Sequence, residues 1–215
     1  LRRVLAAADA AGMVVIVNYF YWKHVARIPE DRTLYDITER VTAWLLETGF
    51  ANILVDVANE ANPWWKRPAF DPANVHRFIE IARGVTLGGR RLPVSVSTGG
   101  GMEMPSSPWL AAEDFSLPHG NGLTPDDLRE KLRRWKDTPE YKARPRPLLV
   151  NEDSIFVSNL EAALAEGASW GYYDQGYGSG YRDRMDWTGH GRETDYADLS
   201  GFQTVPVNWG INTPH

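Results

Sequence analysis

Strand-like and helical segments alternate along this chain of 215 residues, and that alternation predicts an α/β fold of the (β/α)8 TIM-type barrel class. Three observations carry the prediction. Six short apolar runs are separated by amphipathic stretches, a pattern that calls for parallel strands joined by right-handed helical crossovers. Two of those runs, 52–60 and 147–153, end in Asn-Glu, and barrels of this class hold their ionisable groups at the C-terminal tips of strands. No GxGxxG or GxxxxGK(S/T) follows a strand, so a nucleotide-binding sheet has no support.

Six strands are two short of a closed eight-stranded barrel, which typically needs ~250 residues. An open barrel would expose two sheet edges. The expectation is therefore a single partial barrel domain over 1–215 that lacks its first two strands, these coming before Leu1 or from another segment or chain.

The elements follow in order. Residues 1–11 read as a helix with an Ala/Leu/Val face, closed by Gly12 in the C′ position. Val14 to Val17 form a β-branched strand that leads into Asn18-Tyr19-Phe20-Tyr21-Trp22. Ile37, Val41, Trp44 and Leu45 recur at helical spacing between Leu34 and Thr48, and Gly49 stops that helix. The strand at 53–58 follows. Asp71 and Pro72 read as an N-cap and first-turn pair opening a helix to about Arg83. Pro93 to Ser97 is a further strand, running into Thr98-Gly99-Gly100-Gly101.

Asp114 to Leu117 carries a weaker strand signal ending near His119. Thr124-Pro125 caps a charged helix to about Lys136. The strand at 148–151 precedes a helix from Leu160 to Glu166, with Ser158 and Glu161 read as its capping box and Gly167 as its stop. Ala168 to Tyr173 is the last strand. Residues 174–215 are rich in Gly, Asp and aromatics, with little periodicity.

Composition narrows the function. A formal net charge of -5 and a pI near 5.6 argue against a nucleic-acid groove, which needs a basic surface. No Cys is present, which removes disulfides, thiolate catalysis and Cys-ligated zinc. No apolar run reaches the ~18 residues of a membrane span. A secreted or periplasmic location fits, but nothing in the sequence fixes it. Nine Trp and nine Tyr are the oddity: such rings fill cores, and they also stack on the apolar faces of sugars.

Two carboxylates delivered by different strand tips to one pocket suit glycosidic cleavage. One protonates the leaving oxygen, and the other attacks the sugar carbon or activates water. Val55-Asp56-Val57-Ala58-Asn59-Glu60-Ala61-Asn62 and Pro147-Leu148-Leu149-Val150-Asn151-Glu152 resemble the strand-4 and strand-7 motifs of retaining glycoside hydrolases of clan A, most closely the family 5 cellulase/mannanase type. The resemblance covers roughly residues 1–175. It implies a glycosidase cleaving β-linked glycans by double displacement, with Glu60 as acid/base, Glu152 as nucleophile and Asn59 on the sugar 2-hydroxyl. It also implies substrate contacts from His119 and Trp170, in the strand-6 and strand-8 positions. Ala61 stands where the family has Pro, and no His stands near Phe20, where the family has one. The alternative is a barrel of the same fold that binds carbohydrate without catalysing.

Each residue has a plainer reading. Asp56 shares strand parity with Glu60 and reads as a buried hydrogen-bonding residue; Asp153 reads as a cap or as pointing away. His119 is either a ligand or an exposed loop residue, and Trp170 either core or platform. Tyr21 and Trp22, with Tyr19, Trp64, Trp65 and Trp109, follow strand ends where a sugar cleft wants rings, although packing is the usual fate of any one. The acidic run Asp183, Asp186, His190, Glu193, Asp195 and Asp198 matches no EF-hand or HExxH spacing, so no metal and no cofactor are expected. The expected partner is an oligo- or polysaccharide.

Overall fold

The computed structural model describes residues 1–153, 157–171 and 173. Segment 174–215, expected from the sequence to have little periodicity, and its acidic run lie outside them. The chain divides into two compact units, one built from Leu1–Gly99 and Pro105–Ser116, the other from Gly100–Met104 and Leu117 onward.

The first unit opens with α1 (Arg2–Ala10), β1 (Val15–Phe20), the short α2 (Trp22–Val25) and α3 (Asp31–Glu47). It continues through β2 (Ile53–Ala58), two 3₁₀ turns (Pro63–Trp65 and Pro68–Phe70), α4 (His76–Gly84), β3 (Val94–Ser95) and α5 (Ser107–Ala112). Its strands form a parallel sheet in the order β1-β2-β3, with Asn18 paired to Asp56 and Asp56 to Ser95. Parallel neighbours require crossovers, and α3 and α4 supply them. Nearly continuous apolar strands suit a sheet covered on both faces: Ile53, Val55, Val57 and Ala58 are all buried. Phe20, Phe70 and Phe78 pack together beside the sheet, the latter two stacked at 4.7 Å.

Tyr19 ties β1 to α3 through a 2.9 Å hydrogen bond between its hydroxyl and Thr42 Oγ1. Burial pushes its phenol pKa up, and the Thr42 bond offsets only part of that.

The second unit contains α6 (Pro125–Lys136), α7 (Pro139–Ala143), β4 (Leu149–Val150), α8 (Val157–Ala165) and β5 (Ser169–Trp170). Strands β4 and β5 pair in parallel, Leu149 with Ser169 and Val150 with Trp170. Thr124 closes a capping box with Asp127 at the start of α6, as the Thr-Pro pair predicts. Leu128, Leu132 and Trp135 form the buried face of that helix.

Several boundaries differ from the sequence reading. Regular helix begins at His76 rather than beside Asp71, because residues 71–75 form a separate turn closed by Val75 N–H to Asp71 O at 3.0 Å. Ser158 lies inside α8, not ahead of it, so it cannot be the cap. The next residue, Asn159, anchors that first turn through bonds to Asp153 and Leu123 O. Instead of a strand at 114–117, only Ser116 and Leu117 make single bridges. The Asp114 side chain accepts from Val94 N–H at 3.0 Å, taking a donor that a continued ladder would need.

Candidate active site

Glu60 and Glu152 each follow the C-terminal end of a parallel strand, Glu60 after β2 in the first unit and Glu152 after β4 in the second.

Around Glu60 the anchor is Asp56, buried and hydrogen-bonded as the sequence leads one to expect. Its Oδ1 accepts from Ser97 N–H at 3.0 Å; its Oδ2 accepts from Ser97 Oγ at 2.9 Å and Asn18 Nδ2 at 3.3 Å. Ser97 Oγ accepts in turn from Glu60 N–H at 3.0 Å, and Ser97 O from Ala61 N–H at 3.2 Å. Asn59 N–H donates to Phe20 O at 3.0 Å. The chain is thus gripped from both neighbouring strands while Glu60 itself adopts φ 56°. That is the left-handed region, costly for a residue with a Cβ and concentrated at functional sites. Asn59 and Glu60 are half-buried.

Glu152 keeps 22% of its side chain exposed. Its Oε1 accepts from Asn121 Nδ2 at 3.3 Å, and its Oε2 lies 3.8 Å from His119 Nδ1. The second distance is too long for a hydrogen bond but close enough for an ion pair with a protonated imidazole. His119 is fully buried, so its Pro-His-Gly context does not leave it on the surface.

Next to Glu152 in the chain, Asp153 centres a network that the sequence did not announce. Asp153 neither caps nor points away: it is 0% exposed. Both its oxygens accept from Asn159 Nδ2, at 3.1 and 3.0 Å, and Oδ2 also accepts from the Trp170 indole N–H at 2.7 Å. Trp170 is correspondingly buried. Lys131 is buried as well, its ammonium donating to His119 O and Gly101 O, both at 2.7 Å. A Lys at an apolar position of the α6 stripe was the available signal for that contact. Asn18 and Ser97 gave none, being ordinary strand residues.

Tyr21 and Trp22 stand at the end of β1 with their rings exposed, 36% and 37%. Trp22 meets the exposed Trp64 edge-on at 5.2 Å, and Lys23 Nζ lies 5.2 Å from the Trp22 ring centre. Trp109 belongs to the core, and Trp65 packs on Phe70 at 4.7 Å. The structure therefore groups Asn59 with Glu60, His119 with Glu152, and Tyr21 with Trp22, and it buries Trp170. Among the described residues, no helix is long and apolar enough to cross a membrane.

Comparison with protein-family models, characterised proteins and solved structures finds no match for this chain.

Proposed function

We propose that the chain is a glycosidase of the (β/α)8 barrel class that cleaves β-linked glycans with retention of configuration. The reading rests on the motif resemblance and on one structural observation above others: Glu60 is held in a left-handed backbone conformation at a strand tip. Residues held in such sparsely populated backbone regions cluster at active sites.

In the first step the Glu152 carboxylate bonds to the anomeric carbon as the glycosidic C–O bond breaks, and Glu60 gives its proton to the departing oxygen. In the second, Glu60 takes a proton from water, the water oxygen bonds to the anomeric carbon, and the ester to Glu152 breaks. Asn59 is assigned the sugar 2-hydroxyl, and His119 a place beside the nucleophile.

A second reading is a carbohydrate-binding barrel without catalysis, favoured by the exposed Tyr21, Trp22 and Trp64 rings, which suit sugar faces whether or not a bond is cut. Hydrolysis of a panel of aryl β-glycosides separates the two. The expected result is turnover by the chain, a fall of about 10²–10⁴-fold in Glu60→Ala, and loss in Glu152→Ala that azide restores. Absent turnover with glycan binding retained would sink the catalytic reading and leave the binding one.

A further inference from the structure

We infer that Asn121 is a positioning residue of Glu152, and that its carbonyl oxygen accepts a hydroxyl of the bound sugar. Only the identity of that ligand rests on the glycosidase reading.

An ionised carboxylate accepts hydrogen bonds and donates none. The contact of 3.3 Å between Asn121 Nδ2 and Glu152 Oε1 therefore fixes which end of the amide faces Glu152. The Asn121 Oδ1 must point elsewhere, and it is buried without a hydrogen-bond partner among the described residues. So is Oδ1 of Asn151, the residue before Glu152. Bare buried acceptors are rare in folded proteins and call for an explanation. One of them belongs to the residue that donates to the candidate nucleophile, the other to the residue that precedes it in sequence.

The backbone around Asn121 is fixed, so its aim is not that of a loose loop. Its carbonyl accepts from Gly101 N–H at 2.9 Å, and Gly120 N–H donates to Glu152 O at 2.8 Å. Lys131 grips the carbonyl of His119, two residues before Asn121. A Cβ at Gly100 would come within 2.7 Å of Asn121 O, so the approach exists only because residue 100 has no side chain.

A carbonyl oxygen only accepts, so the group that completes Asn121 is a donor such as a sugar hydroxyl.

The test is the side-chain amide NMR spectrum of the ¹⁵N-labelled full chain, with the Asn121 pair identified by its absence from Asn121→Ala. Should that variant fail to fold, Asn121→Ser serves the same purpose. In Glu152→Gln the Asn121 amide proton moves upfield, because the charge-assisted bond is gone. The pair of Asn52, which donates to Met13 O, stays in place. An Asn121 pair unmoved by Glu152→Gln overturns the inference, whatever the activity. On an aryl β-glycoside that the chain hydrolyses, Asn121→Ala lowers kcat/KM by about 10–100-fold, and an unchanged kcat/KM overturns it too. If no glycoside is hydrolysed, the glycosidase reading falls, while the amide shift still decides the role of Asn121.

Discussion

Glu60 carries a cost that its side chain must justify. With φ at 56°, glycine suits the position better than any residue bearing a Cβ. Glu60→Gly and Glu60→Ala both remove the carboxylate, but only the first relieves the backbone. Urea denaturation is expected to find Glu60→Gly more stable than Glu60→Ala by about 1–2 kcal/mol, with the two equally impaired in activity. Equal stabilities would mean that the strain argument is wrong. Asp56 is the opposite case, a residue whose stabilising bonds are its role. Asp56→Ala removes the acceptor of Ser97 N–H, while Ser97 Oγ keeps Ala58 O and Asn18 Nδ2 keeps the residue 56 backbone oxygen, and it is expected to cost about 1–3 kcal/mol in the same assay. Gly120 is sterically fixed, since a Cβ there would lie 2.6 Å from the Asp153 carboxyl carbon. Asn159 and Trp170 pin that carboxyl group, so Gly120→Ala should destabilise by about 1–3 kcal/mol, read as a lower melting temperature. The Asn-Glu ends of both strands and the burial of Asp56 were legible in the sequence. Backbone strain at Glu60 was not, because nothing in a Glu codes for φ.

Among the elements, those with a local chemical signal were read best. The Thr124-Pro125 start of α6 and the Gly49 and Gly167 stops of α3 and α8 are written in single residues. Strand ends were read less well, because side chains compete for the ladder there: Asp56 takes the N–H of Ser97 and Asp114 that of Val94. Such competition depends on residues about 20 to 41 positions apart, which periodicity within a short window cannot register. A similar long-range tie joins α6 to the end of α8, where Lys136 and Arg133 hold Glu166 at 2.7 and 2.8 Å. Burial raises the Glu166 pKa, but the two cations together outweigh it and the net shift is downward. A lowered folded-state pKa gives stability that is present above the unfolded value and is lost as pH falls through the folded one. Glu166→Gln should therefore melt earlier than the parent at neutral pH, with the gap closing as pH is taken below 4.5. A gap independent of pH would assign the effect to packing instead.

For the whole molecule, the sequence reading anticipated parallel strands linked by helices, and each unit has them: β1-β2-β3 in the first, β4-β5 in the second. The division into two units had no counterpart in the sequence reading. The second unit takes in the short stretch Gly100–Met104, and the chain returns to the first for Pro105–Ser116. Gly99-Gly100-Gly101 and Pro105-Ser106-Ser107-Pro108 stand at two of those crossings, but a Gly- or Pro-rich stretch marks any loop, so it does not by itself signal a division into units. The central claim is chemical: Glu152 forms a covalent bond to the sugar. Peptide mass mapping after incubation with 2-deoxy-2-fluoro-β-glycosyl fluorides of the gluco, manno and xylo series tests it most directly. The account predicts a glycosyl adduct on Glu152, absent from Glu152→Gln. Hydrolysis without any adduct, or an adduct on another residue, would contradict it.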